Sequence, residues 1–373
     1  MRQHLGVFFF LTLILLLGSC GGESDTAGTD GGGSGAEDTE VGTADADATS
    51  GPADYSGDGA GEDGENAAAT DESDGDAAGA GADNAETSEA DSAEEEGPVG
   101  QGVGLTPEYD ITERPAGPPT DSYEAYRDWL LEHTSHEDPY IEQRWNRAQA
   151  ALVHYDPPDI TNQRVLEAFL RTPRELFARE WNLHQAYVHN YMPIGHGVTI
   201  SGPHIVARMT DTINPQPWEK VLEVGTGSGY QAAFLAELSN FVYTIEIIEP
   251  LALETDALYE QYEETHPQYE NILRKVGDGY FGWEEHAPFD KIIVTAGIDH
   301  IPPPLIEQLA VGGEMVIPVG PPSVQQMLHV TKTRLEDGTV VLNRRDIYEG
   351  TGRRDPVVFV PFTGDATGVP VPE

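Results

Sequence analysis

Val221-Leu222-Glu223-Val224-Gly225-Thr226-Gly227-Ser228-Gly229-Tyr230-Gln231 is an apolar run of buried type, then a glycine-rich turn, then the start of a helical pattern. Glycines there let the backbone come close to a ligand at the carboxyl end of a strand, where open α/β sheets bind ligands. They fall at positions one, three and five, and Tyr230 stands at position six. A dinucleotide fingerprint wants glycine at six, and a P-loop wants Gly-Lys-Ser/Thr, so the run argues against both.

Outward from this run the chain alternates. Strands are expected at residues 221–224, 242–247, 273–277, 291–295 and 314–318, and helices at 230–238, 251–264 and 303–309. That rhythm predicts an α/β fold, a Rossmann-like doubly wound sheet of largely parallel order. Residues 328–334, 340–348 and 357–361 read as antiparallel C-terminal strands, with a turn at Asp337-Gly338. Towards the N-terminus, Tyr123, Tyr126, Trp129 and Leu130, then Tyr140, Ile141, Trp145 and Ala148, recur at helical spacing and stop at Asp156-Pro157-Pro158. Thr161 is placed to cap a helix with the face Val165, Leu166, Phe169 and Leu170. A helix is also expected at residues 205–212, with Ile205, Val206 and Met209 as its core face.

The 373 residues carry a net charge of −45. Residues 21–100 hold no Lys, Arg, Trp or Phe among Gly, Ala, Ser, Thr and acids, and cannot bury enough apolar surface to offset the entropy of ordering. The expected organisation is a signal at 1–19, a disordered acidic linker at 20–115, a helical extension at 116–159 and one α/β domain at 160–373. Arg2 and the apolar run 5–17 are too short for a membrane span and fit an export signal. The small residues before Cys20, the sole cysteine, resemble a bacterial lipoprotein cleavage box, which implies lipid on Cys20 and a domain tethered to a membrane. A plain secretory signal is the alternative, and an unused signal would leave the chain in the cytoplasm. No basic stripe is present to bind nucleic acid, and no metal-ligand cluster stands out.

Three acids follow the strand order. Glu223 precedes the glycines and suits the ammonium of an amino-acid-like ligand. Glu246 ends the next strand, placed to accept from both hydroxyls of a ribose. Asp278, in Gly277-Asp278-Gly279, follows the third strand and can accept from an adenine amino group, or serve only as a turn residue. Ammonium, ribose and adenine in that order describe S-adenosyl-L-methionine.

Residues 160–364 resemble the protein-L-isoaspartate O-methyltransferase family. The matching stretches include Pro173-Arg174-Glu175, Pro193-Ile194-Gly195-His196-Gly197-Val198-Thr199-Ile200-Ser201-Gly202-Pro203-His204, the glycine turn, Gly277-Asp278-Gly279-Tyr280, Ala287-Pro288-Phe289-Asp290, and Phe359-Val360-Pro361-Phe362-Thr363-Gly364. The family often has Gln or Ala where Val198 and Gly202 stand, on the flanks of the substrate cleft. The resemblance implies a class I methyltransferase domain that methylates the α-carboxylate of isoaspartyl residues in damaged proteins and peptides, after which the ester cyclises to a succinimide. It implies Ser201 as the active-site residue and Thr199, Ile200, Glu223, Gly225, Thr226, Gly227, Gly229, Glu246, Asp278, Gly279 and Thr363 around the cofactor. The acceptor carboxylate, with a pKa near 4, needs no general base, so alignment is the main task. Ser201 also reads as a helix N-cap before Pro203, and backbone amides around residues 199–202 suit an anion. His196 and His204 are expected to be structural or surface residues. The chain is expected to work as a monomer. The alternatives are another carboxyl or small-molecule O-methyltransferase, or an inactive surface-anchored binding module of the same fold.

Overall fold

The computed structural model describes residues 106–134, 140–153, 156–350, 357–364 and 366–371. The expected signal, Cys20 and nearly all of the acidic linker lie outside them. The last part of that linker, residues 106–115, departs from expectation by docking on the domain. Ile111 is buried, its N–H donates to Asn240 Oδ1 at 2.9 Å, the Tyr109 N–H donates to Asn271 Oδ1 at 3.1 Å, and Arg114 pairs with Glu237. One apolar anchor and three side-chain contacts order a stretch that composition assigns to the linker.

Helices α1 (Tyr123–His133), α2 (Ile141–Val153) and α3 (Gln163–Arg171) come first. Tyr126, Leu130, Ile141 and Ala148 enter the same apolar cluster as Val165, Phe169 and Phe234. Asn162, not Thr161, caps α3: its side chain accepts from the Arg164 N–H at 2.9 Å. The Thr161 hydroxyl donates instead to Asp211 Oδ2 at 2.6 Å, a partner fifty residues away that outcompetes the local cap.

A two-stranded antiparallel hairpin follows, β1 (Met192–Gly195) and β2 (Val198–Ile200), which alternation alone does not reveal. Then come α4 (Pro203–Ile213), β3 (Lys220–Val224), α5 (Tyr230–Ala236), β4 (Phe241–Glu246), α6 (Glu249–Tyr262), β5 (Ile272–Val276), β6 (Phe289–Val294), α7 (Pro303–Gln308), β7 (Leu309–Val319), β8 (Gln326–Arg334) and β9 (Val340–Asp346). The seven-stranded sheet has the order β5-β4-β3-β6-β7-β8-β9. β5 to β7 pair in parallel, and β8 and β9 are antiparallel. β3, β4 and β6 are buried along nearly their whole length, as strands at the centre of a mainly parallel sheet are. The chain leaves β3 for β4 on one side and returns to β6 on the other, so a crevice opens at the carboxyl end of β3.

Residues 357–361 do not form the expected strand. Val357 bridges Gln325 and Pro361 bridges Gly297, but the ladder is not continuous. The Phe359 N–H goes to the side-chain Oε1 of Gln325, and Pro361 has no N–H to give.

Candidate active site

The glycine turn after β3 is shaped by what packs behind it. Gly225 has φ +99, and a Cβ there would lie 2.3 Å from Thr295 Oγ1, so only glycine fits. The Thr295 hydroxyl donates to the Gly225 carbonyl at 2.7 Å. On the far side, the Tyr259 hydroxyl donates to the Gly229 carbonyl at 2.6 Å and the Thr255 hydroxyl to the Gly227 carbonyl at 2.8 Å. Gly229 is thus turned against α6 and does not line the cavity that the turn encloses.

Glu223 is fully buried. The Thr244 hydroxyl donates to its Oε2 at 2.5 Å, and Thr226 Oγ1 lies 2.6 Å from Thr244 Oγ1. A hydroxyl has one proton, so Thr226 donates to Thr244 and Thr244 to the carboxyl. Oε1 has no partner among the described residues. Burial pushes this carboxyl well above the usual glutamate range, the Thr244 hydrogen bond opposes it, and the Glu246 carboxylate raises it further.

Glu246 takes the N–H of Gly227 on Oε2 at 2.7 Å and that of Ile248 on Oε1 at 3.0 Å. Burial raises its pKa, and these two donors hold it back. Each oxygen keeps acceptor capacity for a hydroxyl.

Asp278 lies one residue behind the cavity, and its neighbour Gly279 lines it. Asp278 Oδ1 accepts from the Tyr280 N–H at 2.9 Å, which is the turn role that sequence also allows. Oδ2 is buried without a partner among the described residues and faces Gly364, where a Cβ would sit 2.3 Å from it.

The hairpin closes the other wall. It brings Thr199, Ile200 and Ser201 to the same cavity of about 240 Å³ as Glu223, Gly225, Thr226, Gly227, Glu246, Gly279 and Thr363. Val206 and Met209, expected only as core, also line it, because α4 lies against the crevice rather than wholly inside the apolar cluster. Ser201 is not the cap of α4. Gly202 occupies that position without a side-chain bond, and no described residue takes the Ser201 hydroxyl. His196 sits at the hairpin turn with Nε2 3.0 Å from Glu254 Oε1.

A second cavity of about 280 Å³ adjoins the first, and Thr199, Ser201, Thr295 and Val360 border both. His204, expected as a structural or surface residue, is buried and lines this second cavity with His189 and Asn190. The lining of the first contains two acids, Glu223 and Glu246; the lining of the second contains none.

Sequence reasoning missed Thr244, Thr295 and Tyr230. Thr244 pairs with Glu223 across the parallel ladder, a neighbour visible only once register is known. Thr295 had a signal, since it directly follows the buried strand β6, as Asp278 follows β5 after one glycine.

A family model for protein-L-isoaspartate(D-aspartate) O-methyltransferase matches residues 150–366. A protein-L-isoaspartate O-methyltransferase 2 from Polaromonas sp. is 52% identical over 204 residues, 54% of this chain and 89% of that relative. A protein-L-isoaspartate O-methyltransferase 1 from Nitrosospira multiformis is 43% identical over 224 residues, 60% of this chain and 87% of the other. Among solved structures, a protein-L-isoaspartate O-methyltransferase 23% identical to this chain matches with a TM-score of 0.48, over 61% of this chain and 66% of the other.

Proposed function

The chain belongs to the protein-L-isoaspartate(D-aspartate) O-methyltransferase family, and on that premise we propose that it transfers a methyl group from S-adenosyl-L-methionine to the α-carboxylate of isoaspartyl residues in damaged proteins and peptides. One observation carries the proposal: two adjoining cavities, one with two acids in its lining and one with none, share Ser201 in their walls. The cofactor is a cation with a ribose and an adenine, and the acceptor is an anion. In a chain with 65 acidic residues, a cavity without a single acid in its lining is where a carboxylate meets least repulsion.

The donor set fits the cofactor. Glu223 Oε1 lacks a partner among the described residues and suits an ammonium, and Glu246 retains lone pairs for two ribose hydroxyls; Asp278, expected to meet the adenine, lies behind the cavity wall that its neighbour Gly279 forms. Gly225, Thr226 and Gly227 would let the cofactor lie against backbone, while Thr199, Ile200 and Thr363 would close over it. When bound, the cofactor supplies an electrophilic methyl on a sulfonium. This chain's residues bind, orient and exclude water. In this reading Ser201, which borders both cavities, gives its hydroxyl to the acceptor carboxylate. A carboxylate ionised at neutral pH needs no base, so turnover rests on proximity and alignment.

The test is methyl incorporation into an isoaspartyl peptide and its aspartyl twin, with the whole chain as enzyme. Labelling of the isoaspartyl peptide alone is expected; equal labelling, or labelling of neither, would overturn the proposal.

For its location, we propose export and lipid attachment at Cys20, with the acidic linker as tether and the domain acting as a monomer. Support for the export and lipid attachment comes from Arg2, the apolar run 5–17 and the small residues before Cys20. Labelled fatty acid should enter the wild-type chain and not Cys20→Ala, and sedimentation should give the mass of one chain.

A further inference from the structure

A cation stands behind the wall of the second cavity. Arg147 lies on α2, before the residues that the family model matches. Its Nε donates to the Tyr187 carbonyl at 2.8 Å, and its Nη1 lies 3.1 Å from His189 Nδ1. A guanidinium carries donors and no acceptor, so His189 Nδ1 must offer a lone pair. That makes His189 a neutral ring with its proton on Nε2.

The His189 ring lies on the His204 ring, with centroids 3.6 Å apart and planes 12° apart. Two imidazolium rings at that spacing would repel, so a neutral His189 is a condition for the stack. Both rings line the second cavity. Among the described residues no carboxylate forms an ion pair with Arg147, and no acid lines the cavity in front of it. Its charge therefore reaches the cavity largely uncancelled by nearby carboxylates.

We propose that Arg147 is a positioning residue for the acceptor: through His189 it sets the tautomer and tilt of the His189–His204 stack, and it places a positive charge behind the wall that receives the substrate carboxylate. This rests on the function proposed above and adds a residue from the N-terminal helices to it.

The variants Arg147→Met and Arg147→Lys, made in the whole chain, test the proposal. Arg147→Met should raise KM for an isoaspartyl peptide by about tenfold, the scale of one lost charge-assisted contact, with kcat and the Kd for S-adenosyl-L-homocysteine within about twofold of wild type. Arg147→Lys, which keeps the charge and a donor, should recover most of the loss. Nitrogen NMR of histidine-labelled protein gives a readout independent of turnover: His189 Nδ1 should be unprotonated in wild type and partly protonated in Arg147→Met. Should Arg147→Met fail to fold, His189→Phe keeps a stacked ring without the nitrogen and should show the same rise in KM. A protonated Nδ1 in the active wild-type chain overturns the inference and leaves the function standing. So does an unchanged KM, or a parallel loss of kcat and cofactor affinity. A wild-type chain that methylates no isoaspartyl peptide overturns the function, while the tautomer is still read directly.

Discussion

Arg174 donates from Nη2 to the carbonyl oxygen of Ser201 at 2.6 Å, and from Nε to the carbonyl of Ala186 at 2.6 Å. The guanidinium is fully buried over the Tyr230 ring, 4.7 Å from its centroid. Burial lowers its pKa to about 10, so it remains charged at neutral pH. A buried cation thus holds the backbone of the residue where the two cavities join. Arg174→Met leaves both carbonyls without that donor and should cost about 2–4 kcal/mol of stability, read by urea unfolding. Turnover should fall more than the Kd for S-adenosyl-L-homocysteine changes; equal effects would mean that Arg174 only holds the fold.

Ser201→Ala removes a hydroxyl that no described residue takes, so stability should change by less than about 0.5 kcal/mol. Turnover on an isoaspartyl peptide should fall by about tenfold or more, as expected for a lost orienting hydrogen bond to a carboxylate, with cofactor affinity nearly constant. Unaltered kcat would remove Ser201 from the site.

Glu223 gives the chain a pH signature. Its folded-state pKa lies well above the ordinary glutamate value, so the folded chain holds this proton more tightly than the unfolded chain. The associated stability is fully present below the ordinary value and is lost as pH rises through the raised folded value. Glu223→Gln should flatten that decline in thermal melts taken across the range, leaving the contribution of Glu246, which is raised in the same sense. S-adenosyl-L-homocysteine, whose ammonium stabilises the ionised form, should flatten the wild-type decline and not that of the variant.

Gly225→Ala combines φ +99 with a Cβ 2.3 Å from Thr295 Oγ1. The strain and the clash together should lower stability by about 2–4 kcal/mol and abolish measurable cofactor binding. Adding Thr295→Ala should restore part of the stability, because it removes the clash and leaves the backbone strain. Full restoration would show that φ costs nothing here.

The alternation of β3 to β7 with their helices is legible along the chain, because apolar periodicity and turn chemistry are local properties. Glu223 and Glu246 are legible for the same reason: each sits in or at the end of a buried apolar run, where a carboxylate is conspicuous along the chain. The hairpin before α4 was legible only as a motif, since its two short strands lack alternation long enough to read. Val206 and Met209 look like core in any helical projection, and only the position of α4 against the crevice makes them cavity walls. Thr244 beside Glu223, Arg174 beneath Ser201 and Arg147 behind His189 are contacts between residues 21, 27 and 42 positions apart. Strand register and helix packing create those contacts after the chain has closed on itself, and composition and spacing carry no trace of which partner a buried polar group will meet.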